Sequence, residues 1–122
     1  MATETGSITT TREPIIPVRL SENVSIDCLI DTGFSGGLML PAGTLTSLRV
    51  PIIGQERFEL VSGSFIVASV ALAEISWLGG RQWVRVIVSE ANDALVGAEL
   101  LDGNRLVIDY RANTVTLTNE PD

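Results

Sequence analysis

Short alternating or β-branched runs recur along the whole chain, each closed by turn-prone residues, and this pattern leaves room for little besides a small β fold. Ser7 to Thr11, Ile15 to Leu20 and Val24 to Ile30 are such runs, parted by Glu13-Pro14 and Ser21-Glu22-Asn23. Leu38-Met39-Leu40 reads as a buried strand. Phe58 to Val61 and Phe65 to Leu72 predict a hairpin around Ser62-Gly63-Ser64. Glu74 to Leu78 and Gln82 to Val88 predict another around Gly79-Gly80, with Trp77 and Trp83 packed across it. Arg105 to Tyr110 and Thr114 to Thr118 form a last hairpin over Arg111-Ala112-Asn113. Helix is confined to two short pieces. Pro41 opens one through about Leu48, with Leu45 and Leu48 on its apolar side. Ala98 to Leu101 is a single turn stopped by Asp102-Gly103. No linker or low-complexity segment intervenes, so residues 1–122 are expected to form one domain, a mostly β barrel or sandwich.

Composition narrows the chemistry. The chain has no histidine, which removes Ser-His-Asp and Cys-His catalysis and the commonest zinc ligand; no metal site is expected. All eight cations are arginine, so no lysine can form a Schiff base or clamp a phosphate. A net charge of -7 without a basic cluster argues against nucleic acid or an anionic membrane as partner. The longest apolar run, Phe65 to Ala73, is too short to span a bilayer. The opening Met-Ala-Thr-Glu-Thr-Gly has neither a basic head nor an apolar stretch, so no secretory signal is expected. The lone Cys28 excludes an intrachain disulfide and fits a reducing, cytoplasmic setting; it is expected to pack as a small apolar residue. Carboxylates, hydroxyls and backbone remain to do any chemistry.

One carboxylate is well placed for it. Cys28-Leu29-Ile30-Asp31-Thr32-Gly33 is an apolar strand that ends on an acid and turns at once on glycine. Solvation is poor at the end of a buried strand, so ionisation can be tuned there. Ala94-Leu95-Val96 likewise stops on Gly97, without an acid. Strand, Asp-Thr-Gly loop and Leu-Met-Leu strand in the first half, against strand, Leu-Val-Gly turn and helix in the second, read as a weak internal duplication. Asp93 lies at the start of its strand, away from the turn. Asp109, inside an apolar strand, is either an exposed alternation residue or a buried structural acid.

In its order of motifs the chain resembles the retropepsin-like aspartic peptidases, in particular small prokaryotic members carrying Asp-Thr-Gly-Phe. The resemblance covers the approach strand Ile26 to Ile30, the loop Asp31-Thr32-Gly33-Phe34 and Leu38-Met39-Leu40-Pro41. A glycine-tipped hairpin at the flap position, Leu95 to Leu101, Val107 to Tyr110 and Val115-Thr116-Leu117 complete it. It implies a closed β-barrel of the acid protease fold and an endopeptidase that needs no cofactor. Peptide hydrolysis of that kind uses one carboxylate to take a proton from water and a second acid to protonate the carbonyl oxygen. With a single Asp-Thr-Gly, the second acid is expected from another copy, in a two-fold homodimer where both Asp31 meet on the axis. Thr32 stands where the family bonds across the dyad, and Gly33 would let the loop backbone approach the carboxylates. Ser62, Gly63 and Ser64 would tip a flap closing over a peptide or protein substrate. Phe34 replaces the small residue of viral relatives and either lines a specificity pocket or fills core. Ala98 stands where those relatives have an arginine that helps hold the dimer. That departure leaves an alternative of another class: a dimer of this fold that binds or scaffolds peptide with little turnover.

Overall fold

The structure, a computed structural model, describes residues 1–21, 23–59 and 62–120. The first strands are β1 (Ala2–Ile8), β2 (Pro14–Ser21), β3 (Val24–Ile30) and β4 (Leu38–Pro41). Helix α1 (Ala42–Ser47) leads to the long strands β5 (Ile52–Glu59), β6 (Phe65–Trp77) and β7 (Gly80–Ser89). Strand β8 (Leu95–Val96), helix α2 (Ala98–Leu101), β9 (Arg105–Asp109) and β10 (Thr114–Asn119) follow. Six strands in the order β6-β7-β4-β8-β3-β2 close on themselves through the pair Arg19–Ser76. The result is a mostly β, closed barrel with two short helices, as the sequence predicts.

Alternation fills it. On β3, Cys28 and Ile30 point inward while Asp27 is exposed; Ile16 and Val18 on β2 and Leu38 and Leu40 on β4 do the same from neighbouring strands. Side chains such as these each contribute roughly 1.5–3 kcal/mol when withdrawn from water. Pro41, with φ at -61°, is preset for helix entry, and α1 lays Leu45 on the barrel as its fully buried residue. Leu100 of α2 covers another part of the core.

Three strands differ from expectation, one of them β5, which begins at Ile52 and not at Phe58 because it pairs β6 back to Ala71. β1 runs Ala2–Ile8, not Ser7 to Thr11, because its register is written in its partner: Ala2 faces Asn119 and Ser7 faces Thr114 on β10. Thr9 to Glu13 instead form a turn in which the Arg12 N–H donates to the Thr9 carbonyl at 2.9 Å. The expected break at Ala73 is absent. β6 is one 13-residue strand whose first part pairs β5 and whose later part pairs β7, with Val70 and Ala71 shared by both.

Register also separates the tryptophans. Trp77 faces Gly80, so the turn corners are Leu78 and Gly79, at φ of 49° and 80°, one residue earlier than expected. Trp83 faces Glu74, an odd number of residues from Trp77, and therefore projects from the opposite face. Trp77 is buried, its indole N–H reaching the Leu100 carbonyl at 3.4 Å; Trp83 is 64% exposed. They do not pack on each other.

Candidate active site

Asp31 continues the line of β3 by one residue. Its N–H donates to the Val96 carbonyl at 2.9 Å, extending the parallel β3–β8 ladder past the end of the strand. The chain then turns: the Asp31 Oδ1 accepts the Gly33 N–H at 3.0 Å, and the Asp31 carbonyl accepts the Phe34 N–H at 3.2 Å. The carboxylate is half-buried, while Thr32 and Gly33 are exposed. A carboxylate held at both its backbone and one oxygen has a fixed direction, which catalysis by positioned acids requires.

The loop is also tied to α2. Gly97, Ala98 and Glu99 donate their N–H groups to the carbonyls of Gly37, Phe34 and Gly36 at 2.9, 2.8 and 3.2 Å. These are the helix-start donors that find no partner within the helix itself. The Phe34 ring lies over Gly36 and Gly97. A Cβ on Gly97 would stand 2.5 Å from Phe34 Cδ2 and 2.2 Å from the Gly36 carbonyl oxygen. The Phe34 ring is thus packed against its own loop and the start of α2.

The pairing registers sharpen the internal duplication. β8 lies parallel to β3 and antiparallel to β4; β4 lies parallel to β7 and antiparallel to β8. Each strand is thus clasped by the other half's strand-loop-strand unit. Ile30 faces Val96 as Val88 faces Leu40, and a helix begins two residues after each faced residue, at Ala98 and Ala42. One step further, the position matching Asp31 is Ser89. The match extends to detail, since the Ser89 Oγ accepts the N–H two residues on, from Ala91 at 3.1 Å, as Asp31 does from Gly33. Ser89 Oγ in turn donates to Asp93 Oδ2 at 3.1 Å. Sequence alone sets the Asp-Thr-Gly loop against Leu95-Val96-Gly97; the structure matches that turn to Leu40-Pro41 instead. An apolar strand ending on a small polar residue, Val86-Ile87-Val88-Ser89, was the signal available.

Thr32 borders an open cleft of about 610 Å³ whose other walls include Ser35, Ala98, Leu101 and Leu106. Ser62, Gly63 and Ser64 are exposed at the tip of the β5–β6 hairpin; Leu60 and Val61, expected in its first arm, lie outside the described residues. Among the described residues no hydrogen bond joins that tip to the Asp31 loop; the arm of the hairpin shares a cavity with the loop, which Glu56 and Phe58 line together with Ser35, Gly36 and Gly37. Asp109 is exposed, and its Oδ1 caps the β9–β10 turn by accepting the N–H groups of Arg111 and Ala112 at 2.9 and 3.0 Å. Asp93 and Asp109 are therefore both engaged in local turns. Among the described residues no helix is long and apolar enough to cross a membrane.

No protein-family model matches the chain. An uncharacterized protein of Archaeoglobus fulgidus is 26% identical over 106 residues, which cover 80% of both proteins. The crystal structure of a retropepsin-like aspartic protease from Rickettsia conorii superposes on 94% of this chain and 89% of its own, with a TM-score of 0.69 and 17% identity. The fold is retropepsin-like. A foamy viral protease-reverse transcriptase, solved with an RNA/DNA hybrid, matches 71% of this chain and 11% of its own at a TM-score of 0.54 and 17% identity. In this retropepsin-like frame the clasped strands β4 and β8 hold the loop that carries Asp31.

Proposed function

We propose that the protein is an aspartic endopeptidase whose site is completed by a second copy of the chain, with Asp31 of each protomer meeting on a two-fold axis. The observation that carries this reading is the pairing of Asp31 with Ser89 in the duplicated frame: one chain offers one strand-end carboxylate, and the matching position has a hydroxyl already bonded to Asp93. A second acid then has to come from outside the chain, and two-fold association brings the same residue to itself.

In the dimer one Asp31 is ionised and takes a proton from water. The other is protonated, donates to the substrate carbonyl oxygen and, as the intermediate collapses, a proton passes to the departing amine. Like charges in contact oppose a second ionisation, which keeps the pair in this mixed state. Thr32, exposed beside the carboxylate, bonds its counterpart across the axis and braces the two loops. The substrate lies extended between the dyad and the β5–β6 hairpin, held by main-chain hydrogen bonds. That hairpin suits a lid. Among the described residues its Phe65, Ile66 and Val67 are exposed on strands that pair only with each other at that end, leaving apolar surface to cover a peptide.

Subunit mixing tests the shared site. Asp31→Asn is isosteric and is expected to remove activity while sparing folding and dimerisation. Mixed with an equal amount of wild type and allowed to exchange, it leaves about a quarter of dimers with two aspartates. Activity is expected to drop to about half that of the same wild-type concentration alone. Full retention, with exchange verified by mass-tagged subunits, would refute the shared dyad. Peptide binding without hydrolysis by the wild-type dimer would leave a scaffold in place of an enzyme.

A further inference from the structure

The cavity between the Asp31 loop and the hairpin arm carries charge that the proposed hydrolysis does not use. It is small, about 170 Å³, and its apolar surfaces are Ile87 on β7 and Phe58 on β5. Ser35, Gly36 and Gly37 form its rim on the side of the Asp31 loop. Glu99, the second residue of α2, stands at that mouth. Its carboxyl carbon is 3.9 Å from where a Cβ on Gly37 would lie, and its own N–H is bonded to the Gly36 carbonyl.

The remaining lining is one ion pair, Arg85 with Glu56 across β7 and β5. Arg85 is therefore neutralised by a partner within the cavity, and among the described residues Glu99 has no ion pair. Two carboxylates face one guanidinium, leaving one net negative charge at an apolar recess beside the catalytic loop. A ligand group matching this has a hydrocarbon stem of several carbons and a cationic end. The stem lies along Phe58 and Ile87, and the cation meets Glu99. In a peptide only lysine and arginine have that shape and charge.

Resting on the aspartic-peptidase reading, we propose that this cavity is a specificity subsite for a lysine or arginine side chain of the substrate, with Glu99 as the residue that selects its charge. The excess of acids over the whole chain acts in the same direction, drawing cationic peptides toward the surface. The recess is partly open to solvent, so the selection is moderate and salt-sensitive. A preference of about fivefold for lysine over an uncharged residue of equal length corresponds to a favourable exposed ion pair.

The test uses fluorescent decapeptides identical except at one residue, carrying lysine, norleucine or glutamate, placed in turn at each position flanking the cleaved bond. Hydrolysis is measured with the wild-type dimer and binding with the Asp31→Asn dimer, so the two readings separate. The expected result is one position at which lysine exceeds norleucine about fivefold and glutamate by more. That ratio should fall toward one in Glu99→Gln and in high salt, and reverse in favour of glutamate in Glu99→Arg. Hydrolysis with no charge preference at any position, or a preference unmoved by Glu99→Gln, overturns the subsite and leaves the peptidase standing. Charge-selective binding without hydrolysis supports the subsite and overturns the peptidase. Neither binding nor hydrolysis of any peptide overturns both.

Discussion

At the scale of single residues, Cys28 and Gly97 show how close the Asp31 loop lies to the packed interior. Cys28, three residues before Asp31, is fully buried, and its thiol pKa is pushed up to about 12 from 9.0, first by burial and then by the neighbouring charge of Asp27. The folded state therefore favours the neutral thiol. Below pH 9 the unfolded chain is neutral too and that contribution is intact. Between pH 9 and about 12 the unfolded thiol loses its proton while the folded one keeps it, so stability falls as pH rises. Urea unfolding is expected to give a steeper loss between pH 8.5 and 10.5 for wild type than for Cys28→Ala; equal slopes would contradict the buried neutral thiol. Gly97 allows a different test. Because an added methyl group meets both the Gly36 carbonyl and the Phe34 ring, Gly97→Ala should destabilise by about 1–3 kcal/mol, read from denaturation midpoints.

Among elements, the two ends of β6 behave in opposite ways. At one end Trp77 seats the turn Leu78–Gly79 on the core, although Leu78 has the left-handed backbone that bulky residues avoid. Glu4 on β1 stabilises it: its Oε2 accepts the Leu78 N–H at 2.8 Å, joining the first strand to a turn far along the chain. Glu4→Ala should cost about 1 kcal/mol or somewhat more by thermal or chemical denaturation. An unchanged midpoint would mean that water replaces the bond without loss. At the other end the hairpin tip is exposed, with Gly63 at a φ of 87° and open space around it. Gly63→Val is expected to reduce turnover severalfold, because a β-branched residue resists that backbone, while the melting temperature shifts little. Unchanged turnover would mean that the hairpin is no lid.

For the whole molecule, the decisive feature is that the barrel is complete and the proposed site is half-made. The six strands close within one chain, so the barrel takes no strand from a partner, whereas hydrolysis as proposed takes a carboxylate from one. Specific activity should therefore fall on dilution once the protomers separate, while circular dichroism at the same concentrations stays constant. Activity strictly proportional to concentration down through the monomeric range, established by sedimentation, would place the whole site in one chain.

Much of this was legible in the residues because strand and turn are local matters. Val24 to Ile30 alternates cleanly and Pro41 is preset for helix entry, so strands, helices and turns could be read in place. The strand-ending Asp31 was visible for the same reason. What lies across the barrel was not. The polar first strand is held by β10, Trp77 and Trp83 part company through a one-residue register, and Ser89 gains its meaning only when β4 and β8 are seen clasped by opposite halves. Likewise nothing in the spacing of Glu56, Arg85 and Glu99 brings them around one cavity. Those relations are set by pairing between residues distant in sequence, where burial of one strand's face fixes the register of the next, and only the closed tertiary structure decides them.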